Sequence, residues 1–153
     1  MGASGWSYVT PHNDNLEAML DRLHREELAA GNFYWGDDEI PRPTTLEQLW
    51  AVFEQDDGLA TEGTHSILDI WRVAPPGVKP DNPNVSGTLF ALNDDEVLRM
   101  FGTDRPTREL FASMDPAMHH HDADPVLRWN GCYTPLYDGG AAAAFGVWGV
   151  TGD

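Results

Sequence analysis

The chain has 153 residues, 41% of them hydrophobic, which is enough for one compact domain with a core of its own. Its 25 Asp and Glu residues outnumber its 9 Lys and Arg residues, and the formal net charge of −16 repels phosphate backbones and anionic lipid alike. Lys79 is the only lysine and no basic patch offsets the field, so neither direct nucleic-acid binding nor membrane-surface binding is expected.

No apolar run approaches the ~20 residues that span a bilayer, and the start "MGASGWSYVTPHND" lacks the basic and apolar regions of a signal peptide. A cytoplasmic location is therefore the expectation. Cys132, the one cysteine, can form no internal disulfide and has no second thiol with which to build a zinc pair, so a buried inert thiol is its expected state. No cofactor is called for.

In chain order, "GWSYVT" alternates as a short strand does. From Asn13 to Ala30, Leu16, Met19, Leu20, Leu23 and Leu28 fall at helical spacing, with Glu17, Asp21 and Arg25 opposite and Gly31 as a stop. "PTTLEQLWAVFEQ" repeats the pattern through Leu46, Leu49, Trp50 and Phe53, opened by Thr44 and Glu47 at capping-box spacing. The period then changes. "HSILDIWRV", His65 to Val73, reads as a mostly buried strand and "VSGTLFAL" as its neighbour, joined by the proline-rich loop "APPGVKPDNPN".

"NDDEVLRMF" has Asn93 as N-cap and an apolar side at Val97, Leu98 and Phe101, and "TDRPTRELFASM" is a further short helix with Pro106 at its start. The tail reads as an antiparallel meander: "VLRW", a turn at Asn130 and Gly131, "CYTPLY", a turn at Asp138 to Gly140, and "AAAFGVWGV". Pro135 within its strand suits only an edge or a bulge. This order points to a single α+β domain, residues 1–153, with an antiparallel sheet and helices packed on one face; a doubly wound α/β arrangement is the alternative. No Gly-rich nucleotide or dinucleotide fingerprint occurs.

Three stretches could carry chemistry. "MHHHDADP", Met118 to Pro125, crowds His119, His120, His121, Asp122 and Asp124 together, and His119 with His121 would converge if the backbone were extended. No matching ligand pair occurs elsewhere and prolines bracket the segment, so a solvated polar loop is expected there and no metal site. "THSILD" holds His65, Ser66 and Asp69, the residue types of a hydrolytic triad. On a strand, however, His65 and Asp69 stand roughly 13 Å apart and Ser66 points away, so Asp69 is expected to form a salt bridge or face solvent.

The third stretch is "GNFYWGDDEIPRP". At least one of Phe33, Tyr34 and Trp35 should reach the surface, beside Asp37, Asp38 and Glu39. Aromatic anchors beside carboxylates suit a partner's basic cleft, although the same rings could equally be core cover beneath a loop. "EQDD", with Asp56 and Asp57, and "NDDE", with Asp94, Asp95 and Glu96, add to the field, though acids at a helix start also have a dipole role.

"GWSYVTP" near the start, "GTHSILDIWRV" in the middle and "FGVWGVTGD" at the end resemble a group of small actinobacterial proteins of no assigned activity, over most of the chain. That resemblance implies a bacterial cytosol and brings no catalytic residues with it.

Two functions of different classes follow. The first is an acidic binding protein that neutralises a basic partner, as an immunity protein or antitoxin does by occupying the positive cleft of a toxin enzyme, using Tyr34, Trp35, Asp37, Asp38, Glu39, Asp56, Asp57, Asp94, Asp95 and Glu96. The second is a hydrolase or metal-dependent enzyme using His65, Asp69, His119, His121 and Asp122, no two of which are tied by a motif. The balance leans away from an enzyme.

Overall fold

In "SGWSYVTP" the residues Trp6, Tyr8 and Thr10 alternate with Gly5, Ser7 and Val9, and this period of two forms β1, Ser4–Pro11. The computed structural model describes residues 4–82 and 85–152. Helix α1, Leu16–Ala30, begins where the Asn15 side chain accepts from the Ala18 N–H and stops at Gly31, whose φ of 68° is costly for any residue with a Cβ. Helix α2, Leu46–Gln55, is capped by Thr45 rather than Thr44, and Gln48 rather than Glu47 reaches back, accepting from the Thr44 N–H and hydroxyl. Asp56 ends α2 and caps the short α3, Asp57–Glu62.

The expected strand from His65 to Val73 is mostly absent. Ser66 instead caps a 3₁₀ turn at Ile67–Asp69, and only β2, Arg72–Val73, joins the sheet. The β-forming residues are buried because that turn packs Ile67 and Ile70 under α1. Its neighbour is β3, Thr88–Ala91, as expected. The connecting loop is irregular where described; Pro83 and Asn84 lie outside the described residues.

Next come α4, Asp94–Phe101, with a complete capping box between Asn93 and Glu96, and α5, Arg108–Ser113, capped by Thr107. The histidine-rich stretch is helical: α6, Pro116–Ala123, starts on a proline whose missing N–H is no loss in a first turn. "VLRW" forms a 3₁₀ turn at Pro125–Leu127 and one isolated bridge, and Asn130 opens β4, Asn130–Asp138, rather than a turn. The hairpin to β5, Ala141–Thr151, is as read.

The sheet order is β1-β5-β4-β3-β2. The α+β class holds, with two corrections: β2, β3 and β4 run parallel, so the sheet is mixed, and helices cover both faces rather than one. The reason is connectivity, because parallel neighbours need crossovers, and the β3-to-β4 crossover carries α4, α5 and α6 over one face. There Val97, Phe101, Phe111 and Ala117 pack on Phe90, Cys132 and Trp148. On the other face Met19, Leu20 and Leu23 of α1 pack with Trp6, Leu89, Phe145 and Val147.

A third cluster, Phe33, Trp35, Leu49, Leu59 and Leu68, builds a flank from α2, α3 and the segment before them. Gly146 of β5 leaves room for the Phe111 ring, which would stand 2.6 Å from an added Cβ. Pro135 is tolerated because β3 ends opposite Tyr133, leaving that side of β4 outside the ladder, and a register shift follows Leu136. Among the described residues no helix is long and apolar enough to cross a membrane.

Candidate functional site

The acidic aromatic segment divides by depth. Phe33 and Trp35 point inward, meeting edge to face at 6.2 Å, and the Trp35 indole donates to the Ile40 carbonyl at 2.8 Å. Trp35 is therefore corrected from a surface anchor to a core residue. Tyr34, between them, is 43% exposed. Its N–H donates to the Thr64 carbonyl, its ring stacks on His65 with centroids 4.5 Å apart, and its hydroxyl donates to Glu62. The Glu62 charge raises the Tyr34 pKa. Arg42 closes the loop by donating to the Phe33 carbonyl at 2.6 Å and stacking over the Phe33 ring.

Asp37 accepts from the Glu39 N–H in a local turn, while Asp38 and Glu39 are exposed. Asp57 is exposed and Asp56 is the α3 cap; both belong to the same flank as Tyr34, since α3 and the 33–40 segment share one cluster. Asp94, Asp95 and Glu96 do not join them. They start α4, on the opposite face of the sheet, and Glu96 is engaged by its capping box and by Lys79. Two exposed aromatics escaped the sequence reading: Trp50 on α2 and Trp71 before β2, both expected to be buried.

His65 and Asp69 share a turn but not a hydrogen bond. His65, held at φ 54°, contacts Ser4 Oγ through Nδ1 and the Glu62 carbonyl through Nε2. Asp69 is buried at 4% exposure, and in place of the expected salt bridge its oxygens accept from the Thr64 N–H at 2.7 Å, the Thr64 hydroxyl at 2.9 Å and the Thr151 hydroxyl at 2.7 Å. Burial raises its pKa against the pull of those donors. Such an arrangement ties β5 to the turn through Thr151.

The three histidines of α6 diverge around the helix: His119 is exposed, His121 half-buried, and His120 faces inward at 8% exposure. Asp122 is exposed. The Trp148 indole donates to His120 Nδ1 at 3.2 Å, and the Cys132 sulfur lies 3.5 Å from the same nitrogen. An indole N–H can only donate, so Nδ1 carries no proton and the neutral ring holds it on Nε2. Burial lowers the His120 pKa and raises that of Cys132, so this thiol is not a nucleophile.

In front of His120 opens a cavity of about 350 Å³ between α4 and α6, with Leu92, Met100 and Ala123 as its apolar wall. Lys79 crosses its mouth, 2.6 Å from Glu96 Oε2 and 3.2 Å from Asp124 Oδ2. Burial alone would raise the Asp124 pKa, but the Val126 N–H and Lys79 together bring it below its usual value; both carboxylates raise the Lys79 pKa against the effect of burial. Sequence reasoning missed Lys79, His120, Asp124 and Trp148 as one group. The signal for a helix was available in Pro116 as a first-turn residue, with Ala117 and His120 three apart on one face.

Among the described residues no group of three or more His, Cys, Asp and Glu side chains is arranged to hold a metal ion. No protein-family model, curated protein or solved structure matches the chain.

Proposed function

We propose that the protein is an acidic binding protein that neutralises a basic protein partner, in the manner of an immunity protein or antitoxin occupying the positive cleft of a toxin enzyme. What carries the reading is the disposition of charge. Most of the bases are engaged within the fold: Arg22 and Arg25 pair with Glu26 and Asp21 along α1, Lys79 joins Glu96 and Asp124, and Arg42, Arg72, Arg99 and Arg105 donate to backbone carbonyls. Among the described acids only Glu27 and Asp69 are buried. The surplus negative charge therefore faces outward, and next to it stands an exposed ring, Tyr34, already stiffened by stacking and a backbone bond.

A ring held this way loses little entropy on binding, and exposed acids beside it steer a basic partner. The binding face is assigned to Tyr34, Asp37, Asp38, Glu39, Asp56 and Asp57, which share one flank. Asp94 and Asp95 act at long range only.

The test is association kinetics with the product of the neighbouring gene over a range of salt. Asp38→Lys with Glu39→Lys should slow association about tenfold at low salt and flatten its salt dependence. Tyr34→Ala should speed dissociation about tenfold or more while leaving the salt slope unchanged. Absence of any complex, or a doubly reversed variant with the parent's rate and slope, would sink the reading.

A further inference from the structure

The cavity between α4 and α6 lies on the opposite sheet face from the proposed binding flank, and its hydrogen-bonding balance is lopsided. Each of its carboxylate oxygens already has a partner within the fold: Glu96 Oε1 the Asn93 N–H, Oε2 Lys79, Asp124 Oδ1 the Val126 N–H, and Oδ2 Lys79. One of its donors does not. With Nδ1 accepting from Trp148, the His120 proton sits on Nε2, where Asp124 Oδ2 at 4.0 Å is beyond hydrogen-bond range. This N–H has no protein acceptor in range and opens into the cavity, where water or a ligand oxygen can accept from it.

Charge narrows what that acceptor can be. Lys79 and Arg99 balance Glu96 and Asp124 around the cavity, so the lining is neutral as a whole inside a strongly negative molecule. A carboxylate or phosphate would meet the molecular field with no surplus cation to hold it, and an ammonium would find both carboxylates already paired with Lys79 and no net negative charge in the lining. The wall of Leu92, Met100 and Ala123 asks for an apolar body.

We propose that this cavity binds a small uncharged molecule carrying a carbonyl oxygen, which accepts from His120 Nε2–H while its apolar part packs on Leu92, Met100 and Ala123. The volume admits a ligand of one ring or a short chain. Trp148 is then a positioning residue, because its donation to Nδ1 keeps the imidazole in the tautomer that points a proton into the cavity.

Benzamide, benzoate and benzylammonium share one shape and differ in charge, which makes them a discriminating set. Titrated into the ¹⁵N-labelled protein near neutral pH, benzamide should give saturable shifts at His120 Nε2 and at the Met100 methyl, and the two ions should bind at least about tenfold more weakly. His120→Phe should abolish benzamide binding. Since that variant also alters the core, Ala123→Phe is the companion: it fills the cavity from an exposed position, and should abolish binding while the His120 ¹⁵N tautomer signature stays that of the parent. The proposal fails if benzoate or benzylammonium binds as tightly as benzamide, if Ala123→Phe binds benzamide like the parent, or if benzamide produces no saturable shift up to its solubility limit.

Discussion

The two faces of the sheet each bury a polar cluster, and the clusters differ in completeness. On the α1 side, Asp69 is saturated by the Thr64 N–H and two hydroxyls, and the Thr151 hydroxyl that donates to it also accepts from the Trp6 indole. On the α4–α6 side, His120 has one nitrogen occupied and the other aimed into an open cavity. The difference teaches how to separate a structural polar group from one available for recognition: residue type does not decide it, since His65 and Asp69 are two of the residue types of a hydrolytic triad and share no hydrogen bond, while the residual hydrogen-bonding capacity does.

The sharpest way to break this comparison is at Asp69. Asp69→Ala orphans three buried donors and should cost about 3 kcal/mol in urea unfolding, whereas Asp69→Asn, which keeps an oxygen for the two Thr64 donors, should cost under about 1.5 kcal/mol. Equal losses for the two would mean that the carboxylate does not organise the turn.

A smaller effect separates the buried histidines from Asp69 by the sign of their pH response. His120 and His24 have folded pKa values below their ordinary 6.5, both through burial, so the unfolded chain takes up protons first. Their contribution is complete above pH 6.5 and is lost as pH falls through the folded values. Asp69 runs the other way: its raised pKa makes its contribution fall as pH rises from 3.8 toward the folded value. Urea midpoints measured from neutrality down to about pH 5.5 should decline, less steeply in His120→Phe. An unchanged slope in that variant would show that His120 is protonated as readily in the folded protein as in the unfolded chain.

The smallest effect belongs to Lys79. Its ammonium is about one-third exposed and its pairs are partly solvated, so Lys79→Met should cost no more than about 1 kcal/mol despite two close carboxylates. A loss of several kcal/mol would make the cavity's mouth a part of the core and remove the contrast between a closed face and an open one.

Much of this could be read in advance. The helices α1, α2, α4 and α5 follow from apolar spacing plus nearby caps, and the β4–β5 hairpin from alternation around Asp138 to Gly140. Of the binding-face residues, Tyr34 is exposed as one of the three aromatics had to be, but its buried neighbour Trp35 could not be told from it, because both lie in the same short irregular segment. The strand expected at His65 to Val73 failed for a related reason: β-forming side chains report burial, and a 3₁₀ turn under a helix buries them as well as a strand does.

The sequence by itself determined the charge, the α+β class and the elements with clear apolar spacing or alternation, since caps and periodicity act over a few residues. Only the tertiary structure decided the parallel half of the sheet, the burial of Trp35 and the two polar clusters. Those depend on partners far apart in the chain: Trp148 locks His120 from 28 positions away, and Thr151 reaches Asp69 across 82. A hydrogen bond of that span leaves no periodic trace, because it is fixed by how the sheet faces are covered rather than by the residues beside it.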